Sequence, residues 1–338
     1  MTMKAKVVCL RPKHDLERVQ VTIPEALDVQ FFPKYDENLV AQACVDADFI
    51  MAPSPFPPIT ARIIYGARSL KLIQLTGSGF DTVDLGAANK AGIPVANCPG
   101  ISSKTVAQLA FITMGALCRG VLEADNETKK GNYQEVREKL DREGMYELEG
   151  LNLGLLGLGI IGKEMARIGA FFKLNIFYYD ILRIPPDQEK GLDVAFVPFE
   201  ELLRISDILS LHLPINQNTR KLIGREEFAL MKHNAILINC SRGAIIDDEA
   251  LVEALKSKRL RGAALDSFDP EPLPSGHPLL SLDDEIKKRL ILTPHIGGTT
   301  RQAFRRMFQE AINNILRVVR GEKPRYVVNL KQTDLLAT

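Results

Sequence analysis

Residues 151–180, LNLGLLGLGIIGKEMARIGAFFKLNIFYYD, constrain the fold more than any other part of the chain. A short apolar run at 153–156 leads into Gly157, Gly159 and Gly162, and Ile161, Met165, Ile168 and Phe172 then recur at the three-to-four spacing of a helix face. A second apolar run ends in Asp180, so the stretch reads as strand, glycine turn, helix and strand. In such a unit Gly157 permits the sharp turn, Gly159 lets the backbone approach a pyrophosphate, and Gly162 lets the helix pack closely on the strand. The unpaired N–H groups of the first helical turn, including those near Ile160 and Ile161, make an anion site that needs no basic side chain. Asp180 lies 21 residues after Gly159, close to the ~20 expected of the acid that accepts the ribose hydroxyls of NAD. A GxGxxG by itself is common in ordinary loops; with the flanking strands, the helix and the terminal acid a dinucleotide site is expected here, with a methyltransferase-like nucleotide site the alternative. Arg183 is within reach of a 2′-phosphate, but Asp180 would repel that group, so NAD is expected rather than NADP.

The rest of the chain has room for a second domain. Its 338 residues are 46% hydrophobic and 25% charged, the makeup of a globular protein of about two domains at roughly 150 residues each. A formal net charge of +1 gives no electrostatic reason to expect nucleic acid or an anionic membrane as partner. A small-molecule partner fits better. The amino-terminal residues lack the apolar run of a signal peptide, and no segment reaches the ~18 apolar residues of a membrane span, so a cytoplasmic protein is expected. Cys9, Cys44, Cys98, Cys118 and Cys240 are widely spaced and include no CxxC pair, which argues against a disulfide framework or a zinc site and for apolar packing.

Before the glycine turn, apolar runs at 6–10, 29–32, 49–52 and 72–75 alternate with helical segments such as 39–47, and a helical pattern then runs from Ser103 to about Lys130. After Asp180 the alternation resumes, with strands near 208–213, 235–239, 262–265 and 290–293 and helices such as 248–256. This predicts α/β architecture with parallel, doubly wound sheets. A last helix over 299–321 and a final strand at 326–330 are expected to return to the first domain. The proline cluster 53–58 reads as a stiff loop, and the charged run 135–149 as a solvated helix face.

Ligands of open α/β sheets bind beyond the carboxyl ends of the strands, so charged residues there are candidates for chemistry. Arg242 follows AILINC, Asp266 and Glu271 follow GAAL, and His295 follows LILTP. Hydride removal from a carbon bearing a hydroxyl requires a base that takes the hydroxyl proton near working pH. An imidazole, with an ordinary pKa of about 6.5, suits the task, and Glu271 would orient it. Arg242 can fork onto a substrate carboxylate with two parallel hydrogen bonds. His212 ends a strand and reads as a packing or hydrogen-bonding residue, and His14, His233 and His277 lack comparable settings.

With these motifs in hand, the chain resembles the D-isomer-specific 2-hydroxyacid dehydrogenases, a family that includes glyoxylate and hydroxypyruvate reductases and phosphoglycerate dehydrogenases. GLGIIG, NCSRG, DSFDPEP and TPHIGG match that family's motifs in order and spacing, and the likeness runs from about residue 45 to residue 330. The resemblance implies a catalytic trio of Arg242, Glu271 and His295, with Asp266 on the nicotinamide carboxamide. It implies further cofactor contacts at Leu213, Pro214, Thr219, Cys240, Ser241, Arg242, His295 and Gly298, and a substrate held by Arg242 and His295 with its carboxylate cradled by backbone N–H groups at Ser78 and Gly79. It also implies a Rossmann NAD-binding domain, residues 102–298, inserted in a flavodoxin-like substrate domain built from residues 1–101 and 299–338, with a homodimer formed through the NAD-binding domain.

Some positions depart from the family pattern. Ile160 stands where Arg or Asn is usual, Gln108 replaces a usual Glu, and the tryptophan common before the nucleotide domain is missing. SPFPP at 54–58 replaces arginines that meet a phosphorylated substrate, and the sequence ends at Thr338 without the regulatory domain of some phosphoglycerate dehydrogenases. Formate dehydrogenases carry Gln where this chain has Glu271. A small 2-keto acid and its D-2-hydroxy acid are therefore the expected substrates, and Phe56 points to a small or apolar side chain. The alternatives are an NAD-binding corepressor that recruits partners and a dehydrogenase of a non-carboxylate donor such as phosphite.

Overall fold

The computed structural model describes residues 4–54 and 57–330; Phe56 and part of the proline cluster lie outside the described residues. The chain divides into two compact units, residues 1–102 with 298–338, and residues 103–297, so that Ser102 and Gly298 fall in the first.

The first unit holds five parallel strands, β1 (Ala5–Cys9), β2 (Leu27–Phe31), β3 (Phe49–Ala52), β4 (Leu72–Leu75) and β5 (Val95–Ala96), in the order β2-β1-β3-β4-β5. That is the flavodoxin order. β3 and β4 are buried along their whole length, which is why they read as unbroken apolar runs rather than alternating ones. The helix Arg301–Val319 returns to this unit and buries Phe308, Ala311 and Ile315 against the sheet.

The second unit holds seven parallel strands, β6 (Asn152–Leu156), β7 (Asn175–Tyr179), β8 (Ala195–Phe196), β9 (Ile208–Leu211), β10 (Ala235–Asn239), β11 (Leu260–Leu265) and β12 (Leu290–Leu292). Their order is β12-β11-β10-β9-β6-β7-β8. The chain winds outward from β6 in one direction and resumes beside it at β9, the doubly wound Rossmann pattern with its switch point between β6 and β9. Core clusters lie on both faces of this sheet.

Two expected elements differ. The helical pattern expected to run unbroken from Ser103 to about Lys130 is two helices, Ser103–Cys118 and Val121–Lys129, bent by 63°. Gly120 adopts φ +61°, in the left-handed region that favours glycine, and a Cβ there would meet Leu140 Cδ2 at 2.7 Å, so a larger residue would also have to displace that side chain. Residues 326–330 do not form a regular strand. Val327 makes one antiparallel bridge to Ala96, Tyr326 turns to φ +58°, and the Asn329 amide takes over the sheet edge, accepting from Val95 N and donating to Ile93 O. Among the described residues no single helix is long and apolar enough to cross a membrane.

Candidate active site

Every strand of the second sheet points its carboxyl end the same way, and the expected functional residues of that unit lie in the segments that follow. β6 leads into Gly157, whose φ is +96° and whose added Cβ would lie 2.6 Å from the His212 carbonyl oxygen. A Cβ at Gly162 would lie 2.3 Å from the Gly157 carbonyl, whereas Gly159 faces open space. The turn is thus closed against its own chain on two sides and open on the third, where the helix Ile160–Phe171 starts with Gly159 as its cap. Asp180 follows β7, and its Oδ2 accepts from Leu158 N at 2.8 Å, so the acid and the glycine turn form one piece. This arrangement fits a dinucleotide: a bare backbone and helix amino end for the pyrophosphate, and a carboxylate beside it for a ribose. Arg183 does not stand free as a phosphate ligand; it forks onto Glu189 through Nε and Nη2 at 2.8 and 2.9 Å.

Beyond β9, His212 is held by Ser210 Oγ at 3.0 Å, and burial pushes its pKa down to about 4, consistent with a neutral packing residue. Leu213 and Pro214 follow, and Thr219 Oγ1 donates to Pro214 O at 2.7 Å, folding that loop on itself. Beyond β10, the buried Asn239 shapes the next loop: its Oδ1 accepts from Ser241 N and Oγ, and its Nδ2 donates to the Arg242 carbonyl at 2.9 Å. Cys240 is half-buried and its thiol is pushed well above the usual range by burial, so it is a packing residue and not a nucleophile.

Asp266, after β11, is 3% exposed. Its Oδ1 accepts from Thr293 Oγ1 and from Ile296 N, and its Oδ2 from Gly297 N at 2.7 Å. These bonds pin the loop that carries His295. Burial raises the Asp266 carboxyl above its ordinary pKa, against the lowering effect of those donors. His295 itself sits at φ +53°, in the left-handed region. Its Nδ1 lies 2.9 Å from Glu271 Oε2 and 3.1 Å from Oε1. An ionised carboxylate only accepts, so Nδ1 carries the hydrogen and Nε2 is the nitrogen left to exchange a proton. Glu271 is fixed in turn by Phe268 N at 2.8 Å. Burial pushes its carboxyl up, but the hydrogen bond and charge of His295, the Phe268 N–H and the charge of Arg242 outweigh this and leave it below the usual range.

Glu271, His295 and Arg242 are therefore gathered within one unit, as are Asp266, Ser241 and Cys240. Ser78, Gly79 and Gly298 belong to the first unit, where Ser78 Oγ donates to Cys98 O at 3.0 Å and Ser78 O accepts from Asn97 Nδ2 at 2.7 Å. The sequence reading missed Asn239, which positions the arginine loop. The only signal available was a polar residue ending an otherwise apolar strand.

A Rossmann sheet whose glycine turn is tied to an acid, with an imidazole–carboxylate pair at the same end, defines a dinucleotide-dependent oxidoreductase. Comparison with known proteins narrows the class. Residues 111–297 match the family model "D-isomer specific 2-hydroxyacid dehydrogenase, NAD binding domain". The chain is 38% identical over 272 residues to a glyoxylate reductase of Korarchaeum cryptofilum, covering 80% of each chain. It is 39% identical over 262 residues to a hydroxypyruvate reductase of Thermotoga maritima, covering 77% of this chain and 81% of that one. Among solved structures, apo D-mandelate dehydrogenase of Rhodotorula graminis superposes with a TM-score of 0.85 at 28% identity, over 96% of this chain and 98% of that one. The chain belongs to the D-isomer specific 2-hydroxyacid dehydrogenase family and is an NAD-dependent enzyme of it.

Proposed function

We propose that the protein reduces a small 2-keto acid to its D-2-hydroxy acid, with glyoxylate and hydroxypyruvate the first substrates to test. Gly157, Gly159, Gly162 and the N–H groups near Ile160 and Ile161 would hold the NAD pyrophosphate, Asp180 the adenosine ribose, and Leu213, Pro214, Thr219, Cys240, Ser241 and Asp266 the remainder. When bound, NADH supplies the hydride that the substrate C2 accepts. His295 Nε2 gives a proton to the oxygen at C2 as that oxygen becomes a hydroxyl, and takes it back in the reverse direction. Glu271 keeps the other ring nitrogen protonated and stabilises the imidazolium that the reverse reaction forms. Arg242 binds the substrate carboxylate and polarises the carbonyl. The first unit is assigned to substrate selection, with backbone N–H groups at Ser78 and Gly79 offered to a carboxylate.

The observation that carries this reading is the 2.9 Å contact between His295 Nδ1 and Glu271, which supplies a proton carrier of fixed tautomer at the carboxyl end of the sheet. The names of the relatives support the substrate class. The test is NADH oxidation, followed by absorbance, with glyoxylate, hydroxypyruvate, pyruvate and longer 2-keto acids, and NADPH run in parallel. Turnover of at least one with NADH is expected. Oxidation of none would turn the assignment toward a partner-recruiting protein, and activity with phosphite alone toward a different donor. We further infer a homodimer formed through the nucleotide unit, whose helices carry exposed Ile112, Val121 and Phe171.

A further inference from the structure

The carboxyl end of β7 carries a second charged cluster that the proton chemistry does not use. Tyr178 is fully buried, and its hydroxyl donates to Glu189 Oε1 at 2.8 Å while accepting from Ile184 N at 3.1 Å. Arg183, only three residues after Asp180, donates to both oxygens of the same carboxylate. Its guanidinium also lies 5.3 Å over the Phe196 ring. The fork holds Arg183 on the helix Pro186–Leu192 and the ring face holds it against β8, and the carboxylate cancels its charge. Asp180, Arg183 and Glu189 together carry one net negative charge beside the place assigned to the adenosine ribose. A 2′-phosphate of nearly two negative charges would meet repulsion from the two carboxylates there and find Arg183 already engaged.

We propose that Glu189 is a positioning residue that sets coenzyme choice: by holding Arg183 on its own helix, it keeps the site selective for the dinucleotide without a 2′-phosphate. Asp180 then excludes the phosphate directly, and Glu189 excludes it by withdrawing the arginine that would otherwise recruit it. The proposal rests on the assignment of Asp180 to the adenosine ribose.

The test is titration calorimetry of NADH and NADPH with the intact protein, alongside the thermal transition of each variant. Glu189→Gln keeps the shape but loses the charge; it is expected to narrow the NADH-over-NADPH preference by about tenfold, chiefly through tighter NADPH binding. Adding Arg183→Ala to it should restore the original preference, which a general loosening of the loop would not do. An unchanged ratio in Glu189→Gln overturns the proposal. So does Arg183→Ala alone if it weakens binding of either coenzyme more than about threefold, since the arginine would then already reach the nucleotide; this arm stands even if Glu189→Gln fails to fold. Asp180→Ser tests the underlying assignment separately. Unchanged NADH binding in that variant removes the ribose reading itself, whereas weaker NADH binding there with no effect of Glu189→Gln removes only the role of Glu189.

Discussion

His295 is held twice, once through its ring and once through its backbone. A non-glycine residue at φ +53° occupies a sparsely populated region, and it is held there by its N–H to Thr293 O at 2.9 Å and by Asp266 gripping the next two N–H groups. The ring is aimed by Glu271. If Nε2 is the proton carrier, His295→Ala should lower kcat by about 10²–10⁴ while the calorimetric Kd for NADH stays within about twofold; equal losses in both would remove the role. Arg242→Lys preserves the charge but not the fork, and should raise KM for the keto acid by roughly tenfold or more with NADH binding unaffected. Glu271 adds a pH dependence whose sign follows from its depressed pKa. The stability it contributes is present above the ordinary carboxyl value near 4.5 and is lost as pH falls through the lower folded value. Denaturant midpoints measured from pH 6 downward should therefore fall less steeply in Glu271→Gln than in the parent.

At the scale of elements, the buried amide pair Gln74 and Asn314 locks the carboxy-terminal helix to β4. Asn314 Nδ2 donates to Gln74 Oε1 at 2.6 Å, and Asn314 Oδ1 accepts from Arg325 N at 2.7 Å. Both side chains are at most 1% exposed, so Asn314→Ala strands buried partners and should destabilise the first unit by about 2–3 kcal/mol, read as an earlier denaturation transition. The helix itself was expected from the sequence, and the long strands were legible from their apolar runs, because parallel strands buried on both faces carry no polar alternation. The two-residue strands β5 and β8 were not legible, since neighbours rather than composition make so short a segment a strand. Nor was the break at Gly120, where the backbone turns left-handed, or the edge at Asn329, where a side chain does the work of a backbone. The same logic holds in the site. Arg242, Glu271 and His295 stood out as charges at the ends of apolar runs, whereas Asn239 and Glu189 owe their roles to partners that only the folded chain brings near.

At the scale of the molecule, the nucleotide unit exposes several large apolar side chains. Ile112 is 65% exposed, Val121 50% and Phe171 81%. Phe172 packs on Phe111 at 4.7 Å and on Phe171 at 5.3 Å, and two neighbouring concavities, one lined by Phe171 and Phe172 and the other by Val121, share Arg119. The bend at Gly120 sets Val121 at the start of a new helix instead of continuing the one that carries Ile112. The homodimer proposed above would bury these side chains, and a stable interface buries more than about 1,000 Å² in total. Sedimentation equilibrium should accordingly give twice the 37.5 kDa chain mass. The double substitution Ile112→Glu and Val121→Glu places two charges on that surface and far from the glycine turn in sequence, so it should yield a single-chain mass while leaving NADH binding within about twofold. A parent protein that sediments as one chain, or a double variant that still sediments as two, would place the association elsewhere or remove it.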